Sequence, residues 1–92
     1  MPIRYSWDPA KNRSNLRDHG IGFEAVEQFE WDTAIVEVDD REDYGETLEF
    51  ATGFIGDIPH VVVFTVRDDE VCHLISLRKA TKRERKEYGQ GK

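Results

Sequence analysis

Arg78, Lys79, Arg83 and Tyr88 set cations beside a phenol within one short stretch near the end of the sequence. Guanidinium and ammonium groups neutralise the charge that builds on a phosphate under attack. A tyrosine or histidine can move a proton or stack on a base. RNA carries its own nucleophile, the 2′-hydroxyl, so a protein acting on it need only position that group, stabilise the pentavalent phosphate and manage protons. The segment Arg78 to Tyr88 offers these functions without a metal.

Other chemistries fail on spacing. His19, His60 and His73 lack zinc-ligand spacing, and Cys72 and His73, adjacent on a strand, point to opposite faces. No Gly-rich phosphate loop, nucleophile elbow or His-Glu-x-x-His pattern occurs. Asp39, Asp40, Glu42, Asp43 and Glu46 lack the spacing, central glycine and terminal glutamate of a calcium loop, so a solvated hairpin loop is expected there. No cofactor and no metal are expected.

Plain roles compete for several candidates. His19 falls at the C-terminus of an expected helix, where a cation suits the dipole. His60 and His73 read as core or sheet-face residues, Lys82 and Lys86 as solvated, and Trp7 and Trp31 as packing.

The elements that position these groups can be read in order. Ile3 to Ser6 is a short strand. Asp8-Pro9 opens a surface helix from Pro9 to about His19, with Asp8 as N-cap, Pro9 in the first turn and Gly20 as left-handed C-terminal cap. Phe23, Val26 and Phe29 mark a second, buried helix over Phe23 to Phe29, closed by Trp31. Strands follow at Ala34 to Val38, Thr47 to Phe54, His60 to Arg67 and Val71 to Arg78. Thr81 and Glu84 form a capping box for a last helix, in which only Ala80, Glu84 and Tyr88 align at i, i+4 spacing. Gly89 to Lys92 reads as a loose tail. The order β-α-α-β-β-β-β-α implies an α+β fold with an antiparallel sheet.

A two-residue turn at Asp68-Asp69 would pair Arg67 with Glu70 and Thr65 with Cys72. Val62, Phe64, Val66, Val71, Ile75 and Leu77 would then face the helices, and Thr65, Arg67, Ser76 and Arg78 the other side. The same register sets Arg67 and Arg78 at opposite ends of the hairpin.

Ninety-two residues suit one domain spanning 1–92. The net charge of -6 argues against a general nucleic-acid coat, but it divides unevenly. Residues 1–75 hold 6 Lys+Arg and 17 Asp+Glu, a net of -11, while residues 76–92 hold 7 and 2, a net of +5. Such asymmetry attracts an anion locally or an oppositely charged protein. The polar start does not resemble a signal peptide and no apolar run reaches membrane-spanning length. With the single Cys72, this suits a cytoplasmic protein that does not engage a membrane.

The chain resembles the BrnT toxins of bacterial type II toxin–antitoxin systems. The likeness rests on Trp7-Asp8-Pro9 with Lys11, then Asn15-Leu16, His19-Gly20 and Phe23-Glu24. It continues through Val63-Phe64-Thr65 with Arg67, Ile75-Ser76-Leu77-Arg78-Lys79-Ala80, and Glu84-Arg85 with Tyr88. It implies a RelE-like fold: an antiparallel sheet of four to five strands, two N-terminal helices and one short C-terminal helix. The implied activity is that of an endoribonuclease that halts translation. The implied partner is a BrnA-like ribbon-helix-helix antitoxin, through which alone operator DNA would be bound.

The positions carried over as catalytic are His19, Arg67, Arg78, Lys79, Arg83 and Tyr88, with RNA contacts from Lys11, Lys82, Arg85 and Lys86. Asp68-Asp69 replaces the family's Gly-containing turn after Arg67, and Leu77 stands where a small residue is usual. The alternative is a non-catalytic binding module whose basic C-terminal helix docks on an acidic protein. A DNA-binding regulator fits less well, because the chain is acidic and shows no recognition-helix motif.

Overall fold

Asp8 and Pro9 start helix α1 (Pro9–His19) as their chemistry dictates: Asp8 Oδ1 accepts from the Ala10 N–H at 2.9 Å. Gly20, at φ 72°, ends it by donating its N–H to the Leu16 carbonyl at 2.8 Å. The structure, a computed structural model, describes residues 3–39, 47–67 and 70–90. The acidic stretch 40–46 and the Asp68-Asp69 turn lie outside the described residues.

Five strands form one sheet: β1 (Arg4–Ser6), β2 (Ile35–Asp39), β3 (Leu48–Ile55), β4 (Ile58–Arg67) and β5 (Val71–Lys79), in the order β1-β5-β4-β3-β2. β2 to β5 pair antiparallel as expected. β1 corrects the all-antiparallel expectation: it runs parallel to β5, with Arg4 opposite Val71 and Ser6 opposite His73. The intervening helix and strands form the long crossover that a parallel pair requires. Helix α2 (Lys82–Gln90) follows β5 and includes Gly89, which was expected in a loose tail.

The second expected helix is a 3-10 turn over Phe23–Gln28, with another at Trp31–Thr33. Buried Phe23, Val26 and Phe29 recur every third residue, which matches the threefold 3-10 repeat better than 3.6. Asn12 holds this turn in place: its Oδ1 accepts the Phe23 N–H at 2.8 Å.

The main core joins Phe23, Val26 and Phe29 to Ala51, Val62, Phe64, Cys72, Leu74 and Leu77. Trp31 closes it edge-on to Phe29 and Phe64, and its indole N–H donates to the Tyr5 hydroxyl at 2.7 Å. Gly53 admits Phe29, whose ring would lie 2.9 Å from any Cβ there.

The β4–β5 register departs from expectation. Arg67 pairs with Val71, not Glu70, and Thr65 pairs with His73. Cys72 and Leu74 therefore enter the core in place of Val71 and Ile75. A register shift between Val63 and Phe64 leaves Ile75 as the extra residue and returns Leu77 to the core. The opposite face carries a smaller cluster of Val61, Val63 and Ala80, flanked by Phe50 and Ile75.

Candidate functional site

Helix α1 has little apolar surface to bury, and its Leu16 is exposed. Asn15 attaches it instead. The buried Asn15 amide donates to the Leu77 carbonyl at 2.7 Å and the Ile21 carbonyl at 2.8 Å. Its oxygen accepts the Leu77 N–H at 3.2 Å. β1 pairs only with Val71 to His73, so farther along β5 this side chain takes the place of a neighbouring strand.

Between α1 and β5 lies an open groove of about 390 Å³. Lys11, Ser14, Asp18 and His19 line it from the helix, so one carboxylate stands among the cations; Ile75 and Ser76 line it from the bulged strand. Ser76 and Arg78 pair with Val63 and Val61 and so share a sheet face, with alpha carbons roughly 7 Å apart. The groove thus gathers a hydroxyl, an imidazole, an ammonium and a carboxylate, with Arg78 two residues along β5 from Ser76.

Arg78 is held by a bidentate ion pair. Its Nη1 and Nη2 donate to the two Glu84 carboxylate oxygens at 2.7 and 3.0 Å. The same carboxylate accepts the Thr81 N–H at 2.8 Å, and Thr81 Oγ1 accepts the Glu84 N–H at 3.1 Å, completing the expected capping box. Hydrogen bonding from Arg78 holds the Glu84 carboxyl down to about 2, and the same bond raises Arg78. A guanidinium fixed in this way keeps its orientation at little entropic cost.

The remaining candidates divide by position. Lys79, Lys82, Arg83, Arg85 and Lys86 are exposed, and Arg83 pairs with Glu87 at 3.1 Å. Helical spacing puts Lys82 and Lys86 opposite the inward side of α2. Tyr88 lies on that inward side: it is 4% exposed, stacks edge-on against Phe54, and donates its hydroxyl to the Thr33 carbonyl at 2.9 Å. That contact docks α2 on the sheet and gives the helix more buried surface than its sequence promised. Arg67 is exposed and six residues along β4 from Val61, the partner of Arg78, so roughly 20 Å separates the two arginines.

Burial pushes the Cys72 thiol up to about 12, which suits a core residue and not a nucleophile. His60 is buried with Nδ1 2.8 Å from the Ile58 carbonyl, and His73 Nδ1 lies 2.7 Å from the Ser6 hydroxyl. Among the described residues no three His, Cys, Asp or Glu side chains form a group able to hold a metal, and no helix is long and apolar enough to cross a membrane.

Sequence reasoning did not find the anchoring role of Asn15 or Glu84 as the clamp on Arg78; it put Ser76 on a polar face open beside the basic C-terminal helix, whereas the groove that Ser76 lines is against α1. Asn15 had a signal, because asparagine in a helix interior is a poor helix former and needs another reason to be there.

A second groove, of about 150 Å³, lies between α2 and the other end of the sheet. It is lined by Ile35, Glu37, Phe50, Thr52, Val61, Glu84, Glu87 and Tyr88.

The sequence profile of the family described as "Ribonuclease toxin, BrnT, of type II toxin-antitoxin system" matches residues 7–84. No curated protein matches significantly. Among solved structures, the crystal structure of the Brucella abortus ribonuclease toxin BrnT is similar at 27% identity and a TM-score of 0.69. The likeness covers 88% of this chain and 100% of that one.

Proposed function

This chain belongs to the BrnT family of ribonuclease toxins of type II toxin–antitoxin systems, and on that premise we propose that it cuts RNA, without a metal, in the groove between α1 and β5. The observation that carries the reading is the convergence of Lys11, His19 and Ser76 on one groove, with Arg78 next along the same strand face.

In the proposed reaction His19 accepts the proton of the RNA 2′-hydroxyl, whose oxygen attacks the adjacent phosphorus. Arg78 holds the nonbridging oxygens of the scissile phosphate and neutralises the added charge of the pentavalent state, while Lys79, adjacent on β5 and so on the opposite face, acts only through its longer-range field. The bond from phosphorus to the 5′-oxygen breaks, and that oxygen takes a proton from the imidazolium or from water. The products are a 2′,3′-cyclic phosphate and a 5′-hydroxyl. Lys11 and the outward cations Lys82, Arg83, Arg85 and Lys86 would hold neighbouring phosphates, a contribution that weakens with salt.

Glu84 is a positioning residue in this scheme, because it acts through Arg78. Tyr88, with its hydroxyl on the Thr33 carbonyl, is assigned to anchoring α2, and Arg67, at the far end of β4, to a place outside the reaction centre. The chain would work in the cytoplasm, stop translation by cutting RNA, and be neutralised by a BrnA-like ribbon-helix-helix antitoxin that brings the pair to operator DNA.

The test is the chemistry of the cut ends in excess chelator. Cyclic phosphate and 5′-hydroxyl termini are expected; 5′-phosphate and 3′-hydroxyl termini would contradict 2′-hydroxyl attack. A folded chain that binds an acidic protein through α2 but neither cuts RNA nor slows growth would favour the non-catalytic alternative.

A further inference from the structure

We propose that the outer edge of β2 receives an extended segment of a cationic protein partner, which adds to the sheet as a sixth strand. β2 ends the strand order, and among the described residues no strand lies on its outer side. Edge strands are commonly blunted by charged side chains, lysine above all, by proline, a bulge or a covering element; the charges of β2 are the acidic Glu37 and Asp39, which leave the edge open to a basic strand. Ile35-Val-Glu-Val-Asp39 contains neither proline nor lysine, and its pairing with β3 runs without a bulge from Ile35 to Asp39. Val36 and Val38 are 46% and 58% exposed, large values for valines beside a sheet core.

The two faces of this edge ask for different side chains. Val36 and Val38 lie on one face, opposite Ala51 and Glu49. Ile35 and Glu37 lie on the other, where Glu37 shares the smaller groove with Glu84 and Glu87. A strand laid along β2 would therefore present apolar side chains at alternate positions to the valines and basic ones to the glutamates. The net charge of -11 over residues 1–75 favours the same partner. The glutamates along this edge favour a cationic segment over RNA. A second copy of the chain is disfavoured as well, because antiparallel pairing centred on Glu37 would set Glu37 against Glu37.

The choice of a protein partner rests on the toxin–antitoxin reading, since a neutralising antitoxin is the protein such a chain must bind. The proposal places it away from the α1–β5 groove.

The probe is a capped heptapeptide of alternating lysine and valine, with its glutamate–valine counterpart as control, read by amide hydrogen exchange on the full chain. Slowed exchange over 35–39 with the lysine peptide, at least tenfold tighter than the control, is expected. Val38→Lys and Glu37→Lys should each weaken it about tenfold while RNA cleavage is unchanged. The same amides should be protected in the complex with the antitoxin. An antitoxin that binds Val38→Lys as tightly as the parent, or protection confined to other strands, overturns the edge proposal and leaves the ribonuclease reading standing. A parent chain that cuts no RNA and binds no antitoxin overturns the functional reading instead.

Discussion

The two grooves of this small protein lie at opposite ends of one sheet and differ in what lines them. Beside β5 the walls carry Lys11, His19 and Ser76 with one carboxylate, Asp18, and Arg78 lies two residues farther along the strand; beside β2 they carry Glu37, Glu84 and Glu87 among apolar side chains. Glu84 stands between the two, lining the acidic groove while its carboxylate holds Arg78. On the proposed reading, this division lets a chain of net charge -6 offer cations to RNA at one groove and carboxylates to a cationic protein at the other. It depends on two attachments, Asn15 to Leu77 and Tyr88 to Thr33, which fix the helices over their respective ends.

Breaking the cationic end should have the largest effect. Arg78→Ala is expected to lower cleavage about 100- to 1,000-fold, the scale of losing a preorganised donor to a developing oxyanion. The variant should still show a cooperative melt. Asn15→Ala attacks the same groove through its scaffold. It leaves the Leu77 N–H and carbonyl without their partner in a buried place, which should cost about 2–4 kcal/mol and lower the melting temperature by roughly 10–20 °C in calorimetry.

Changes on the α2 side should be smaller. Tyr88→Phe removes the bond to the Thr33 carbonyl and should cost about 1 kcal/mol in denaturant unfolding, with cleavage within about threefold of the parent. A far larger loss of cleavage in a stable Tyr88→Phe protein would return the phenol to the reaction. The Glu84 carboxyl sharpens the contrast through pH. Its folded value of about 2 lies below the ordinary 4.5, so its stabilising contribution is full above about 4.5 and is lost as pH falls toward 2. Solvent screening of this half-buried pair limits the effect to on the order of 1 kcal/mol. Unfolding curves between pH 5 and 2.5, parent against Glu84→Gln, should converge as pH falls.

Local signals in the sequence were strong for the ends of elements. Asp8-Pro9, Gly20 and the Thr81–Glu84 box each act within one helical turn, and each stands where its chemistry placed it. What could not be read locally was pairing across the chain. The parallel β1–β5 contact joins residues 67 positions apart, and the bulge at Ile75 depends on how β4 and β5 meet. A register displaced by one residue reverses every side chain until a bulge restores it, which is why Cys72 and Leu74 exchanged places with Val71 and Ile75. The candidate cations were visible as residue types. Their partition was not: a bidentate pair for Arg78, solvent for Lys82 and Lys86, and a distant strand end for Arg67 follow from tertiary geometry alone.

The most direct test is cleavage of an end-labelled single-stranded RNA, free and ribosome-bound, by the parent, Arg78→Ala and Tyr88→Phe chains in excess chelator. Cutting by the parent and by Tyr88→Phe, with loss in a folded Arg78→Ala chain, is the predicted result. Cutting that stops with chelation, or that persists undiminished in Arg78→Ala, would contradict a metal-independent site built around Arg78.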